Sequence, residues 1–248
     1  MEHMSTRPGP LLAELHAHTT WSDGALTVTE LVDHYGRAGF DVLAVTDHVV
    51  RTDDPWPDQE DGDDALGVSR AEYAKYFSAI ERAAERAWSL YGLLVLPGLE
   101  LTYNDLDPTE AAHAVAVGVH EYVSVDDGIA GAMETARAAG AALIAAHPYD
   151  VEPAPSASRL TQRFARDSSL AGLAHRFELF NRTQLFPWVA EAGLPVVACG
   201  DTHLPEHVHG WKTLLPCARD EEAIVAYLRS RQPVYLTRVE ADAQRLAA

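Results

Sequence analysis

The chain has 248 residues, 47% of them hydrophobic, with a formal charge of -18, enough apolar content for a substantial core in one domain. The charge repels a nucleic-acid backbone, and no basic stripe of the kind that meets phosphates is present, so long DNA or RNA is not expected as a partner. No apolar run approaches the ~18–20 residues that span a bilayer, residues 1–10 lack the basic start and apolar centre of a secretion signal, and Cys199 and Cys217 have no CxxC spacing, so the reading is a cytoplasmic protein without membrane, disulfide or thiolate zinc site.

In chain order, Leu11 and Leu12 open a strand that runs into Glu14-Leu-His-Ala-His-Thr-Thr-Trp-Ser-Asp-Gly24. Alternation along a strand aims His16 and His18 the same way, with Asp23 five residues on, a pattern that suggests metal ligation. Helical spacing of apolar residues predicts a helix over 27–39 stopped by Gly39, then a buried parallel strand over 40–46 that ends in Asp47 and His48. The stretch 51–64 holds seven acidic residues and two prolines, so it reads as a solvated loop that could cover a pocket beside His48. A helix is expected over 69–90, with Ser69 and Glu72 as a capping box. A strand over 93–99 delivers Glu100.

His113 then begins the strand 112–119 instead of ending it. A parallel strand would carry it to the wrong end of the sheet, so a local antiparallel return beside Glu100 is predicted, with His120 at the far end structural or exposed. A helix over 126–139 and a strand over 141–146 lead to His147. The Pro- and Ser-rich start of 151–169 reads as loop and its later part as helix. A strand over 173–180, a short helix over 183–193 and a strand over 195–200 lead to Asp201 and His203, which share one side by the period of two. A helix around 221–230, a strand around 233–236 and a frayed tail over 241–248 complete the chain. The domain is read as residues 11–240, after a tail over 1–10. Alternating strands and helices imply a parallel α/β fold, and seven or eight strands in this length fit a closed barrel, with the active site at the C-terminal strand ends.

The ligand candidates occupy those ends: His16, His18, Asp23, His48, Glu100, His113, His147, Asp201 and His203. This nitrogen and oxygen set without thiolate suits Zn, Mn or Fe, and nine groups imply two or three divalent ions. Such ions would leave the pocket cationic inside an acidic protein. A phosphate would be drawn in and clamped, and a metal-bridging water with its pKa lowered toward ~7 would supply the attacking hydroxide, so phosphoester hydrolysis is the natural reaction class.

The motifs His16-Ala-His18, Ser22-Asp23-Gly24, Thr46-Asp47-His48, Gly98-Leu-Glu100, His113, Ala146-His147-Pro148 and Gly200-Asp-Thr-His203 together resemble, in order, those of the polymerase and histidinol phosphatase (PHP) family. The resemblance implies a distorted (β/α)₇ barrel with a trinuclear site. By position, His16, His18, Glu100 and Asp201 would hold one metal, Glu100 would bridge to a second held by His113 and His147, and Asp23, His48 and His203 would hold the third. Asp201 and His203 are the expected catalytic residues, with Asp47 orienting a ligand from the outer shell. Asp23 at its position resembles the branch acting on nucleotide or small-metabolite phosphates. Val49-Val50 departs from the polar pair often found there, and 51–93 is too short for a large inserted substrate domain. Arg182 and Arg51 are the expected substrate-phosphate contacts, Lys212 and Tyr149 weaker ones, and His207 and His209, just past the last ligand pair, are read as exposed in preference to rim residues. The expected activity is hydrolysis of a small phosphate monoester. Phosphodiester hydrolysis and a non-catalytic metal-binding accessory module are the alternatives; the complete ligand set disfavours the latter.

Overall fold

The computed structural model describes residues 9–55, 67–150 and 161–240. Strand β1 (Leu11–Glu14) is followed by α1 (Val28–Arg37), which Thr27 and Glu30 close with a reciprocal capping box and which buries Val28, Leu31, Val32 and Tyr35. The next strand is broken in two, β2 (Val42–Val45) and β3 (His48–Val50). Helix α2 spans Tyr73–Tyr91 and is ended by Gly92 in the left-handed conformation. It begins later than the Ser69 signal suggested, because Ser69 Oγ bonds the Glu72 carboxylate at 2.6 Å instead of capping a backbone N–H.

Strand β4 (Leu94–Tyr103) runs past Glu100, and β5 (Ala112–Val117) returns antiparallel with Thr102 opposite His113. Then come α3 (Ile129–Ala138), β6 (Ala142–Ala145), the short helices α4 (Arg163–Arg166) and α5 (Ser168–Ala171), and β7 (Arg176–Asn181). The stretch expected as one helix divides into β8 (Gln184–Leu185), which folds back on β7, and α6 (Pro187–Glu191), which starts on a proline at its first turn. Strand β9 (Val196–Cys199), a 3₁₀ turn over Pro205–Val208, β10 (Gly210–Leu215), α7 (Glu221–Arg229) and β11 (Tyr235–Val239) complete the described chain. Strand β10 carried no strand signal in the sequence reading.

The strands form one curled, mixed sheet in the order β11-β10-β1-β2-β4-β5-β6-β7-β8, with β3 on β4 and β9 on β7. Joins β1·β2, β2·β4, β6·β7 and β7·β9 are parallel, whereas β4·β5, β5·β6 and β1·β10 are antiparallel, so the sheet departs from a plain repeat of β/α units. Its two sides meet at a bridge between Ala17 and Thr202, where His18 N–H donates to Thr202 O at 2.9 Å and Thr202 N–H to His16 O at 3.1 Å. Below it, Thr213 Oγ1 accepts from Ala198 N and donates to Ala198 O, both at 2.9 Å, tying β10 to β9 through a side chain.

Alternation divides the core in two. Val42, Ala44, Leu96, Val115, Val117, Ala142, Ile144, Val197 and Cys199 fill the inside of the curl, and Ile224 and Leu228 of α7 pack with them. Leu43, Val45, Leu99, Leu101, Ala114 and Leu143 face the helices outside. Continuing the inner parity carries Glu100, His113 and Asp201 onto the same interior, above the apolar plug. Among the described residues no helix is long and apolar enough to cross a membrane.

Candidate metal centre

Strand β1 reaches this end of the sheet by breaking its own alternation. Leu11, Ala13 and Leu15 share the inner core, yet His16 and His18 also turn inward. The phase shifts just after the strand, where Glu14 Oε1 accepts from both Leu15 N (3.0 Å) and His16 N (3.1 Å). The same oxygen accepts from Gly200 N at 2.8 Å, which brings the ends of β1 and β9 together. A side chain at Gly200 would collide with Glu14 and Lys212.

Glu100 is the hub. Its Oε2 lies 3.2 Å from His16 Nε2, 3.3 Å from His18 Nε2 and 2.9 Å from His48 Nδ1; its Oε1 lies 3.1 Å from His113 Nδ1 and 3.3 Å from His147 Nε2. Asp201 Oδ1 faces His16 Nε2 (3.6 Å), His18 Nε2 (3.4 Å) and His203 Nδ1 (3.3 Å). Asp23 faces His203 Nε2 at 3.2 Å and His48 Nε2 at 3.5 Å. All nine candidate ligands therefore converge. Three overlapping sets have donor atoms close enough to share an ion: His18, Asp23, His48 and His203; His16, His18 and Glu100; His48, Glu100 and His113.

The hydrogen-bond network sets the imidazole tautomers. The hydroxyl of Thr161 donates to His147 O (2.7 Å), so it accepts from His147 Nδ1 (3.1 Å). In the same way Ser22 donates to Asp47 and accepts from His18 Nδ1, while Thr102 donates to Glu100 O and accepts from His48 Nδ1. His16 Nδ1 donates to Glu178 (2.9 Å) and His203 Nδ1 to Asp201 O (3.0 Å). With Nδ1 committed, these five point Nε2 toward the cluster, where a metal would displace any proton it carries. His113 is reversed: Asn104 Nδ2 is committed to Asp54, so its Oδ1 takes the His113 Nε2 proton and Nδ1 turns inward. Outer partners of this kind orient metal-bound histidines.

Charge in the cluster points the same way. Burial together with His48 and His203 pushes His18 down to about 3, and burial, only partly offset by Glu100, brings His113 to about 4. Burial also works against charge on His48, but Glu100 and Asp23 outweigh it and raise that imidazole to about 10; His16 and His203 are raised likewise by their carboxylates. Burial opposes ionisation of Glu100 and Asp201 too, yet the surrounding imidazoles hold both well below the ordinary carboxylate range. Protons on His16, His48 and His203 thus occupy the electrostatic place that cations would take, and metal binding displaces such protons. The donor set fits divalent metal on a further observation: buried His16 Nε2, His18 Nε2 and Glu100 Oε2 face one another with no hydrogen-bond partner.

Above the cluster opens a cavity of about 580 Å³ lined by Asp23, His48, His113, His147, Asp201 and His203 on one side and Tyr149, Asn181, Arg182, Thr183 and Gln184 on the other. Arg182 is at its wall, its guanidinium anchored on Asp201 O at 2.9 Å. Arg51 is not among the lining residues: it pairs with Asp53 at 3.3 Å and stacks over Tyr103. Asp47 is fully buried outside the cavity and accepts from Thr19 N, Thr19 Oγ1 and Ser22 Oγ, so it shapes the turn that carries Asp23 instead of touching substrate. Lys212 is buried against Glu14 at 2.9 Å, not poised for phosphate. His207 Nδ1 accepts from the backbone of His203 and Leu204, while His120 pairs with Glu221 far from the cluster. Most of the acidic stretch that could cover the pocket, residues 56–66, lies outside the described residues.

The sequence reading missed the outer partners Glu178, Thr102, Asn104 and Thr161. Glu178 alone left a trace, as a lone acid inside the apolar run Phe177-Glu-Leu-Phe180.

Histidines and carboxylates gathered on the strand ends of a curled mixed sheet define an α/β protein with a candidate metal centre. The chain belongs to the PHP domain family, whose profile matches residues 14–162. It shares 40% identity over 40 residues with the DNA polymerase/3'-5' exonuclease PolX of Bacillus subtilis, a match covering 16% of this chain and 7% of that protein. Its fold is similar to a two-domain protein of Bacteroides vulgatus described as containing a PHP-like metal-dependent phosphoesterase (TM-score 0.66, 20% identity, 92% of this chain and 64% of that one). It is also similar to an amidohydrolase of Chromobacterium violaceum solved with sulfate (TM-score 0.53, 17% identity, 94% and 99% of the chains). The chain thus spans less than two thirds of PolX and of the Bacteroides protein.

Proposed function

We propose that this PHP-family chain, a metal-dependent phosphoesterase, hydrolyses a small phosphate monoester such as a nucleotide or sugar phosphate. The observation that carries the proposal is the convergence of six imidazoles, each with its outward nitrogen committed, on Glu100, Asp201 and Asp23. His16, His18, Glu100 and Asp201 would hold one divalent ion, Glu100, His113 and His147 a second, and Asp23, His48 and His203 a third, with Zn, Mn or Fe the ions suited to these donors. Divalent ions in such a site supply Lewis acidity toward a phosphoryl oxygen and acidify water toward a pKa of ~7.

The chain's own groups do the rest. Arg182, about two-fifths exposed at the cavity wall, offers the one guanidinium among the lining residues to a phosphate oxygen. Tyr149 donates to Gln184 at 3.1 Å, and burial raises its phenol so that it stays protonated; the pair forms a polar wall for the ester's organic part. Asp201 and His203 border both the ion cluster and the substrate space, which supports their role at the reacting centre. The local similarity to a 3'-5' exonuclease favours a second reading, phosphodiester hydrolysis.

A phosphate-release screen over monoesters and diesters, with Mn, Zn and Fe supplied separately, tests both. Monoester turnover well above diester turnover is expected. The reverse order selects the second reading, and no turnover by fully metallated protein leaves a binding module.

A further inference from the structure

We infer that Glu178 is a positioning residue that couples two parts of the metal centre, setting the tautomer of His16 and the backbone of His147 with one carboxylate. The inference rests on the metal reading above.

Glu178 is fully buried on β7 and carries no ligand candidacy of its own. Its Oε1 takes the Nδ1 proton of His16 at 2.9 Å, so that Nε2, the atom facing Glu100 and Asp201, is the one a metal would take on displacing the second proton. Its Oε2 accepts from His147 N at 2.7 Å and from Asn181 Nδ2 at 2.9 Å. His147 needs such a hold, because its backbone is at φ +29, a region that side-chain-bearing residues rarely occupy. With N–H fixed by Glu178 and C=O fixed by Thr161, that conformation aims the ring at Glu100 Oε1.

Both jobs require an acceptor at both ends of the group. An amide of the same shape cannot do this. If its oxygen faces His16, its NH₂ opposes the His147 N–H; if its NH₂ faces His16, the imidazole proton is driven to Nε2, where a metal would bind. Glu178→Gln is therefore disruptive despite being isosteric, and Glu178→Asp keeps the charge but is one methylene short of spanning both partners.

The test measures zinc stoichiometry and affinity by competition with a chromophoric chelator, and histidine tautomers by nitrogen NMR of the zinc-loaded protein. The amide-proton shift of His147 is read in metal-free protein, with circular dichroism as the check on folding. Folded Glu178→Gln is expected to bind zinc ~10–100-fold more weakly at the His16 and His147 positions, the usual effect of losing an outer-shell partner, and to move the His147 amide upfield before any metal is added. If the Gln variant does not fold, the Asp variant carries the same expectations. A folded variant that is less heat-stable but matches wild type in zinc affinity, His16 tautomer and His147 shift overturns the inference. Wild-type protein that takes up no zinc, manganese or iron defeats the metal reading and the coupling with it. The metal-free His147 shift still separates that failure from an error about the contacts of Glu178.

Discussion

Replacing Lys212 by Met keeps most of the side-chain volume and removes one charge from a pair that is wholly enclosed. Lys212 Nζ lies 2.9 Å from Glu14 Oε2, with both side chains at 0% exposure, and it also donates to His207 O at 2.9 Å. Breaking a buried pair by removing one partner costs ~3–5 kcal/mol. Here the stranded carboxylate still accepts from Leu15 N, His16 N, Gly200 N and Tyr35 OH, so the lower end applies. Loss of the bond to His207 O adds about 1 kcal/mol. The expected total of ~4 kcal/mol lowers Tm by ~8–16 °C, at ~2–4 °C per kcal/mol for a domain of this size. Calorimetry and urea unfolding of the metal-free protein measure it. The double variant Glu14→Gln/Lys212→Met should lose less than the sum of the singles, with a coupling above about 1 kcal/mol. A Lys212→Met protein within about 1 kcal/mol of wild type would mean that the remaining donors alone stabilise Glu14, and the reasoning fails.

Asp201→Asn removes the charge that faces His16, His18 and His203, so metal binding should weaken by at least about tenfold, the lower bound for losing even an outer-shell partner, and hydrolysis should fall with it. Elemental analysis and phosphate release read the two together, and unchanged activity at reduced metal content removes the metal mechanism. A pH effect away from the centre comes from His175: burial and the nearby Arg137 lower it to about 4, and its Nδ1 must stay unprotonated to accept from Leu143 N at 2.9 Å. Its contribution is fully present above the free-imidazole value of ~6.5 and is lost as pH falls toward about 4, roughly 1–2 kcal/mol after allowance for its partial exposure. Urea melts at pH 7 and pH 5 should show this loss in wild type and a smaller one in His175→Gln; equal losses in both proteins refute the assignment.

What could be read from the sequence was what apolar runs and their ends encode. The strands that deliver the ligands announce themselves by β-branched and aliphatic residues, and a polar residue at the end of such a run stands out against that background, which is why His48, Glu100, His147 and Asp201 were visible. The antiparallel return was visible for a related reason: His113 begins its strand, and only a reversal brings it beside Glu100, as the 3.1 Å contact shows. Illegible were the residues whose role depends on a partner across the fold. Glu14 and Lys212 are charged residues in strands, a pattern that usually means a solvent-facing side, and nothing local reveals that each buries the other. Strand β10 was hidden by the same lysine, which interrupts Gly-Trp-Lys-Thr-Leu-Leu. Ser69 carried the right capping spacing, but side-chain bonding to Glu72 competed with the backbone and moved the helix start to Tyr73. Thr102, Asn104 and Thr161 are ordinary polar residues until the histidine each one orients is known.

The placement of strain ties the fold to the centre. Among the described residues, three non-glycine residues have positive φ, His147, Arg182 and Asp201, and all three line the cavity. Such conformations cost of order 1–3 kcal/mol each and persist where the surroundings over-determine them. Here Glu178 holds the N–H of His147, Cys199 O accepts from Arg182 N at 2.8 Å, and Arg182 returns its guanidinium to the carbonyl of Asp201. Arg182 and Asp201 border the seam where the sheet meets itself through a single bridge, Ala17 to Thr202, while the β4·β5 ladder runs over six residue pairs. The seam is thus poorest in backbone pairing where it is richest in donors, with His16 and His18 on one side and Asp201 and His203 on the other. An ion bound between them would join the two sides, and binding to the folded state alone stabilises it in proportion to the logarithm of free metal over Kd. Closure of the sheet and assembly of the metal centre are therefore one requirement on the sequence, met by Glu14 below the seam and by Glu178 beside it.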